Sequence, residues 1–268
     1  MEITKGNWMT EPGYEYYGML AQNWDLFRGD TSHWEDRAFY LEIIRDKGQP
    51  VLDVGCGTGR LLLDYLSQGI DIDGVDLSPE MLALCRQKSK TRQLKPTIFE
   101  ADMRTMKLPR LYQVIIVPSS SFQLVLDPEE ASKAIQNLYE HLQLGGSLVM
   151  PFMRLWKAGD PLESDWQLSG EKVRPQDGAT IRRWSKSRFD PESHLEHTDT
   201  RYEILKNGVV TQSEYHQQSP ATREYSQEQA RKLFLEAGLV NLNVYHGFTR
   251  SPASADEEIF TIVAQKSA

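Results

Sequence analysis

The chain has 268 residues, of which 40% are hydrophobic, 10% aromatic and 25% charged, a composition that suits one large domain or a core with an elaboration and excludes collagen-like, disordered and disulfide-scaffold chains. Its 38 acidic against 30 basic side chains leave a formal charge of -8, which opposes approach to a polyphosphate and gives no attraction to anionic membranes, so neither nucleic acid nor membrane is an expected partner. The longest aliphatic run, Val114-Ile115-Ile116-Val117, falls far short of the roughly 20 residues that span a bilayer, and the two cysteines, Cys56 and Cys85, lack partners at metal-ligand spacing; no metal is expected.

The first residues, MEITKGNWMTEPGYEYYG, carry neither a signal peptide's basic-then-apolar pattern nor the Arg/Ser-rich pattern of a transit peptide, so a cytoplasmic protein is expected. From Gln49 short aliphatic runs alternate with helical stretches. Val51-Leu52-Asp53-Val54 reads as a strand, and Leu61, Leu62, Tyr65 and Leu66 then recur at helical spacing until Gly69. Residues 71–76 give a second strand, followed by Ser78 as N-cap and Pro79 at the first helical position. Thr97-Ile98-Phe99 and residues 112–117 are the third and fourth strands. Asp127-Pro128-Glu129-Glu130 reads as a capping box opening a helix with Ala134, Leu138, Tyr139 and Leu142 inward, stopped by Gly145-Gly146, and residues 147–150 form a fifth strand.

After Met150 the rhythm changes. Residues 179–189, 194–205 and 209–218 are long, polar and β-prone, with Lys206-Asn207-Gly208 as a hairpin turn, which implies a small antiparallel sheet inserted into the core. Ser226-Gln227-Glu228-Gln229 is a second capping box, and two final strands, residues 240–248 and 258–264, close an antiparallel hairpin. The expected fold is α/β: a doubly wound, seven-stranded, mostly parallel Rossmann-like sheet with the inserted antiparallel sheet. The expected division is an N-terminal helical cap over 1–48, a core over 49–152 and 220–268, and an inserted lid or dimerisation unit over 153–219.

The most informative stretch is Leu52-Asp53-Val54-Gly55-Cys56-Gly57-Thr58-Gly59-Arg60. Glycines at alternate positions after a strand let a ligand lie against bare main chain at a helix N-terminus. A dinucleotide fingerprint needs glycine where Arg60 stands, which weakens a pyrophosphate reading, while Asp76 ends the second strand where a carboxylate can take both ribose hydroxyls. A nucleoside without a pyrophosphate fits both features.

These residues, with Val75-Asp76-Leu77-Ser78-Pro79-Glu80-Met81-Leu82, Glu100-Ala101-Asp102-Met103, Leu144-Gly145-Gly146 and the reversed final hairpin, resemble the class I S-adenosylmethionine-dependent methyltransferases of small-molecule type. The resemblance covers residues 51–150 well and 226–268 more loosely. It implies that Gly55, Gly57 and Gly59 face the methionine part of S-adenosylmethionine with their backbone, that Asp53 helps hold the loop and the amino group, that Cys56 is among the cofactor-binding residues, that Asp76 binds the ribose, that Leu77, Met81, Asp102 and Met103 surround the adenine, and that Pro118 and Ser119 stand beside the amino group and sulfonium. The segment Trp24-Asp25-Leu26-Phe27-Arg28 and Trp34-Glu35-Asp36 resembles a cap that closes over the cofactor, with Arg28 for its carboxylate and an aromatic wall drawn from Tyr14, Tyr16, Tyr17, Trp24 and Trp34.

Methyl transfer needs in-line positioning and exclusion of water more than an elaborate constellation. His246 leads the residues that suit a general base, since its strand ends towards the cofactor edge of the sheet, and Tyr17, His197 and His216 follow. Arg250 suits an anionic acceptor group, and Arg182, Arg183, Lys186 and Arg188 suit either an acidic substrate or a solvated strand face. The implied activity is methyl transfer to an N or O atom of a small-molecule acceptor by a monomer or homodimer. Its alternatives are an NAD(P)-binding oxidoreductase and a catalytically silent cofactor-binding protein of the same fold.

Overall fold

The computed structural model describes residues 13–268; residues 1–12, which hold most of the N-terminal stretch read above and the start of the expected cap, lie outside them. Three helices come first, α1 (Gly18–Gln22), α2 (Trp24–Arg28) and α3 (Glu35–Lys47). The core then runs β1 (Val51–Val54), α4 (Arg60–Ser67), β2 (Ile72–Asp76), α5 (Pro79–Thr91), β3 (Thr97–Glu100), β4 (Tyr112–Ile116), α6 (Pro128–Glu140) and β5 (Leu142–Met153). It resumes after the insertion with α7 (Gln227–Glu236), β11 (Leu239–His246) and β12 (Ile259–Lys266). These strands form one seven-stranded sheet in the order β11-β12-β5-β4-β1-β2-β3, parallel except at β12, which runs against both neighbours. Among the described residues no helix is long and apolar enough to cross a membrane.

Period-two alternation in β1 explains why helices cover both faces. Leu52 and Val54 join the cluster that seats α6 and α7, whereas Val51 faces α3, α4 and α5 through Ile43, Leu62 and Leu82. The local helix signals act as expected at two starts. Ser78 accepts the N–H of Met81 at 3.1 Å, and Ser226 with Gln229 forms a reciprocal capping box at 3.2 and 2.8 Å.

Two expectations around α6 are corrected. Asp127 takes the N–H groups of Glu129 and Glu130 at 2.8 and 3.0 Å, but Glu130 turns to Lys133 at 2.6 Å instead of reaching back, so the box is half made. The helix also ends at Glu140, and Leu142 lies buried in the first residue of β5, because Gly145 at φ 75° permits a bulge that carries the strand on towards β4.

The insertion is a five-stranded antiparallel sheet of β6 (Gln167–Val173), β7 (Thr180–Asp190), β8 (Leu195–Lys206), β9 (Val209–His216) and β10 (Ala221–Arg223). β6 and β10 carry no clear sequence signal. The β8–β9 turn uses Asn207 and Gly208 at φ 50° and 77°, the two left-handed residues that a tight hairpin needs. Arg182 and Lys186 of β7 pair with Glu171 and Asp199, while Arg183, on the other face, lies 4.7 Å from the Phe27 ring.

The inner face of this sheet packs on the cap. Ile181, Tyr202 and Ile204 bury against Met19, Leu20 and Phe27, and a Cβ on Gly170 would stand 2.8 Å from the Phe27 ring. Glu214 accepts the Met19 N–H at 2.7 Å, so cap and inserted sheet are joined by a charge as well as by area.

Candidate functional site

A cavity of about 570 Å³ opens at the carboxyl ends of β1, β2 and β4, the end of a doubly wound sheet where ligands bind. Its floor is the β1–α4 turn. Gly55 and Gly57 take φ of 74° and 54°, and a Cβ on Gly55 would sit 2.6 Å from Ser121 Oγ, so only a bare main chain lets the turn and the loop after β4 close on the cavity together. Gly59 serves packing instead. An added Cβ there would meet Cys85 Sγ at 2.7 Å, so the glycine allows α4 to lie against α5, and it does not line the cavity.

Three carboxylates come from strand ends. Asp53 is buried and its Oδ1 finds no partner; burial pushes its pKa up to about 7, with Arg60 opposing and Asp76 adding. Asp76 accepts Gly57 N–H at 2.7 Å and Ser78 N–H at 2.9 Å, and burial nevertheless raises it above the ordinary carboxylate range. At Asp102 burial also works upward, but Arg104, which donates from its backbone at 2.8 Å and from its guanidinium, outweighs it and holds the pKa low.

Among the described residues, the cap supplies the one lining cation without a carboxylate. Arg28 lies between the rings of Trp24 and Trp34, at 4.9 and 4.7 Å, reaches Ser119 Oγ at 3.5 Å, and makes no ion pair with a described residue. Trp34 thus backs the guanidinium without itself lining the cavity. Arg60, by contrast, is taken by Asp36 at 2.5 Å, and Arg104 by Asp102 and Glu130. Lys88 draws Asp25 of α2 and Thr58 of the glycine turn together at 2.8 Å each.

Residues 13–17 run across the mouth as a strap. Tyr16 O accepts Ser78 Oγ at 2.5 Å on the core side, while Glu15 accepts Ser219 Oγ at 2.5 Å on the inserted-sheet side. Tyr14 is pushed up to about 12 by burial and by its hydrogen bond to Glu80, and the Tyr17 ring lies 4.6 Å from that of the buried His216. His216 is itself held by Glu214 at 2.7 Å.

Of the residues picked out from the sequence, Tyr17, Arg28, Asp53, Gly55, Cys56, Gly57, Asp76, Leu77, Met81, Asp102, Met103, Pro118 and Ser119 all line this cavity. His246 does not. It ends β11, an edge strand separated from β1 by β12, β5 and β4, and its half-exposed ring pairs with Glu257 at 2.6 Å. Arg250 is likewise turned to Glu42 at 3.0 Å. Sequence reasoning missed the loop after β4, with Ser120, Ser121 and Leu124, and the inserted-sheet residues Gln217, Gln218 and Ser219. The backbone marks both segments, since Ser119 and Gln218 hold φ of 57° and 51° without being glycine.

Residues 51–146 match the family model described as methyltransferase domain. The chain is 26% identical over 235 residues to a dTDP-3-amino-3,6-dideoxy-alpha-D-glucopyranose N,N-dimethyltransferase of Streptomyces fradiae, covering 85% of this chain and 86% of that one. It is 23% identical over 261 residues to a glycine/sarcosine N-methyltransferase of Halorhodospira halochloris, covering 94% and 89%. The fold matches the crystal structure of an S-adenosylmethionine-dependent methyltransferase from Clostridium acetobutylicum with a TM-score of 0.74 at 19% identity, over 92% of this chain and 97% of that one. Residues 51–146 are thus a methyltransferase domain, and the seven-stranded sheet with its reversed β12 has the fold of the solved S-adenosylmethionine-dependent methyltransferase it matches.

Proposed function

We propose that the chain transfers the methyl group of S-adenosylmethionine to a nitrogen of a small-molecule acceptor. The observation that carries this reading is the cavity: about 570 Å³, walled by the glycine turn on one side and by residues 13–17 and 217–219 on the other, which suits a cofactor and a compact acceptor. Both relatives named above are N-methyltransferases by name, which favours nitrogen over oxygen.

When bound, S-adenosylmethionine supplies a methyl group already activated by its sulfonium. Among the described residues three features fit that cofactor: the orphan Oδ1 of Asp53, the bare main chain of Gly55 and Gly57, and the Arg28 guanidinium that pairs with no carboxylate. Arg28 would pair with the methionine carboxylate, Asp53 would take the amino group, and Asp76 would take the ribose hydroxyls. Leu77, Met81 and Met103 pack on the adenine beside Asp102. Tyr17 and Ser119 would bound the space beside the activated methyl group, and the strap, tied to Ser78 and Ser219, would shield that space from water.

Titration calorimetry with S-adenosylmethionine, S-adenosylhomocysteine and NADH, followed by transfer of labelled methyl groups to amines and to their hydroxyl analogues, tests the reading. Binding of the two sulfur compounds but not NADH, with label in amines, is the expected result. Label confined to hydroxyl acceptors would move the proposal to oxygen, and tight NADH binding would end it.

A further inference from the structure

We propose that Arg104 is a positioning residue for base recognition: by filling most of the Asp102 carboxylate it leaves one fixed acceptor site in the cavity wall, which selects a purine nucleoside that carries an exocyclic amine. This rests on the methyl-transfer reading above and deepens it at one end of the cofactor. Asp102 and Arg104 lie in the turn after β3, and both line the cavity. The turn closes on itself, since the N–H groups of Thr105 and Met106 donate to the Asp102 carbonyl at 3.0 and 2.8 Å. Arg104, two residues on, then donates three times to one side chain. Its backbone N–H reaches Oδ1 at 2.8 Å, its Nε is shared between Oδ1 and Oδ2 at 2.9 and 2.8 Å, and its Nη2 reaches Oδ2.

An ionised carboxylate offers about four lone-pair sites and no donor. Among the described residues no donor outside Arg104 reaches Asp102, so about one site is left for a further N–H. An exocyclic amine satisfies that site, a ring carbonyl is repelled by it, and a bare ring C–H leaves it unpaired. The guanidinium is itself fixed from α6. Its Nη1 faces Glu130 Oε2 at 3.6 Å, and Asn137, further along the same helix, donates to the carbonyls of Met103 and Met106 at 3.0 and 3.1 Å. One helix therefore holds both the arginine and the turn that carries it, and the acceptor site is oriented before any ligand arrives. Ionisation is secured in the same way: burial works to raise the Asp102 carboxyl, and the Arg104 hydrogen bonds and charge outweigh it. Without the guanidinium the side chain is free to turn and its acceptor character weakens.

The test is titration calorimetry on the full chain with S-adenosylhomocysteine and with its analogue lacking the exocyclic amine of the base, two ligands that differ by one NH2 group. Wild type is expected to favour the amine-bearing ligand by about tenfold or more, the worth of a hydrogen bond to a charged group. Arg104→Met should lose most of that preference by weakening S-adenosylhomocysteine, with the analogue held within about twofold of its wild-type affinity. Arg104→Lys, which restores the charge without the planar fork, should keep an intermediate preference, and it carries the test if the methionine variant does not fold. Equal weakening of both ligands would leave Arg104 a support of the turn alone, and tighter binding of S-adenosylhomocysteine by Arg104→Met would make it a competitor of the base. Either result, a wild type indifferent to the amine, or a preference that the variants leave unchanged overturns the inference while the methyl-transfer reading survives. A chain that binds neither S-adenosylmethionine nor S-adenosylhomocysteine overturns both.

Discussion

Arg60 and Asp36 meet across the junction of cap and core, two guanidinium nitrogens on two carboxylate oxygens at 2.9 and 2.5 Å, with 15% and 6% of their side chains exposed. Arg60 stands where a dinucleotide fingerprint has its third glycine. The residue that argues against a pyrophosphate is thus the one that ties α3 to the cofactor turn. Removing one partner leaves a buried charge uncompensated, so Asp36→Ala should lower unfolding free energy by about 3 kcal/mol in urea denaturation. Replacing both, as Asp36→Leu with Arg60→Met, should recover most of that loss. A single variant within about 0.5 kcal/mol of wild type would show that the pair does not hold the cap.

Asp53 makes the ligand-free protein sensitive to pH. Its folded pKa of about 7 lies above its ordinary 3.8, so the unfolded chain releases this proton first. The stabilisation is complete below the lower value and is lost as pH rises through the upper one. Wild-type stability should therefore fall between roughly pH 4 and 7 relative to Asp53→Asn, read by urea denaturation across that range. An ammonium beside Asp53 favours the ionised form, so cofactor binding should release a proton and tighten as pH rises towards 7. Parallel pH profiles for the two proteins would contradict this assignment.

The two cavity glycines should differ in their tolerance of a methyl group. At Gly55 an added Cβ meets Ser121 Oγ at 2.6 Å and Ser121 Cβ at 2.9 Å, whereas at Gly57 it meets nothing nearer than Met81 Cε at 3.4 Å. Both carry the left-handed backbone penalty of about 1–2 kcal/mol, but only Gly55→Ala must also displace the loop after β4. Calorimetry should find cofactor affinity weakened more by Gly55→Ala than by Gly57→Ala. The reverse order would mean that Ser121 moves freely.

Arg28→Met should separate the two ends of the cofactor. Loss of a charge-assisted hydrogen bond to a carboxylate weakens S-adenosylmethionine by about tenfold or more, while 5′-methylthioadenosine, which has no carboxylate, should bind wild type and variant alike. Equal weakening of both ligands would assign Arg28 to cap packing between Trp24 and Trp34 instead.

The core was legible because its instructions are local. A four-residue aliphatic strand, a glycine turn and a serine followed by proline each act within one or two turns of chain, and β1, the Ser78 cap and the Ser226 capping box follow from them. The same locality explains the failures. Asp127 to Glu130 has the spacing of a capping box, yet Glu130 lies near Arg104 and Lys133, and these charges win its carboxylate. His246 stands at the end of a strand, but the position of that strand at the edge of the sheet is a matter of topology that no local pattern carries.

The amino-acid sequence by itself determined the strand-helix order, the glycine floor of the cavity and the carboxylates at the ends of β1 and β2, because backbone freedom and hydrophobic period are properties of neighbouring residues. Only the tertiary structure decided which cap residue is, among the described residues, a cation without a carboxylate, which polar side chains roof the chamber and how Glu15 meets Ser219. Those outcomes depend on competition among charges brought together from opposite ends of the chain, and partners are assigned only once the folded distances exist.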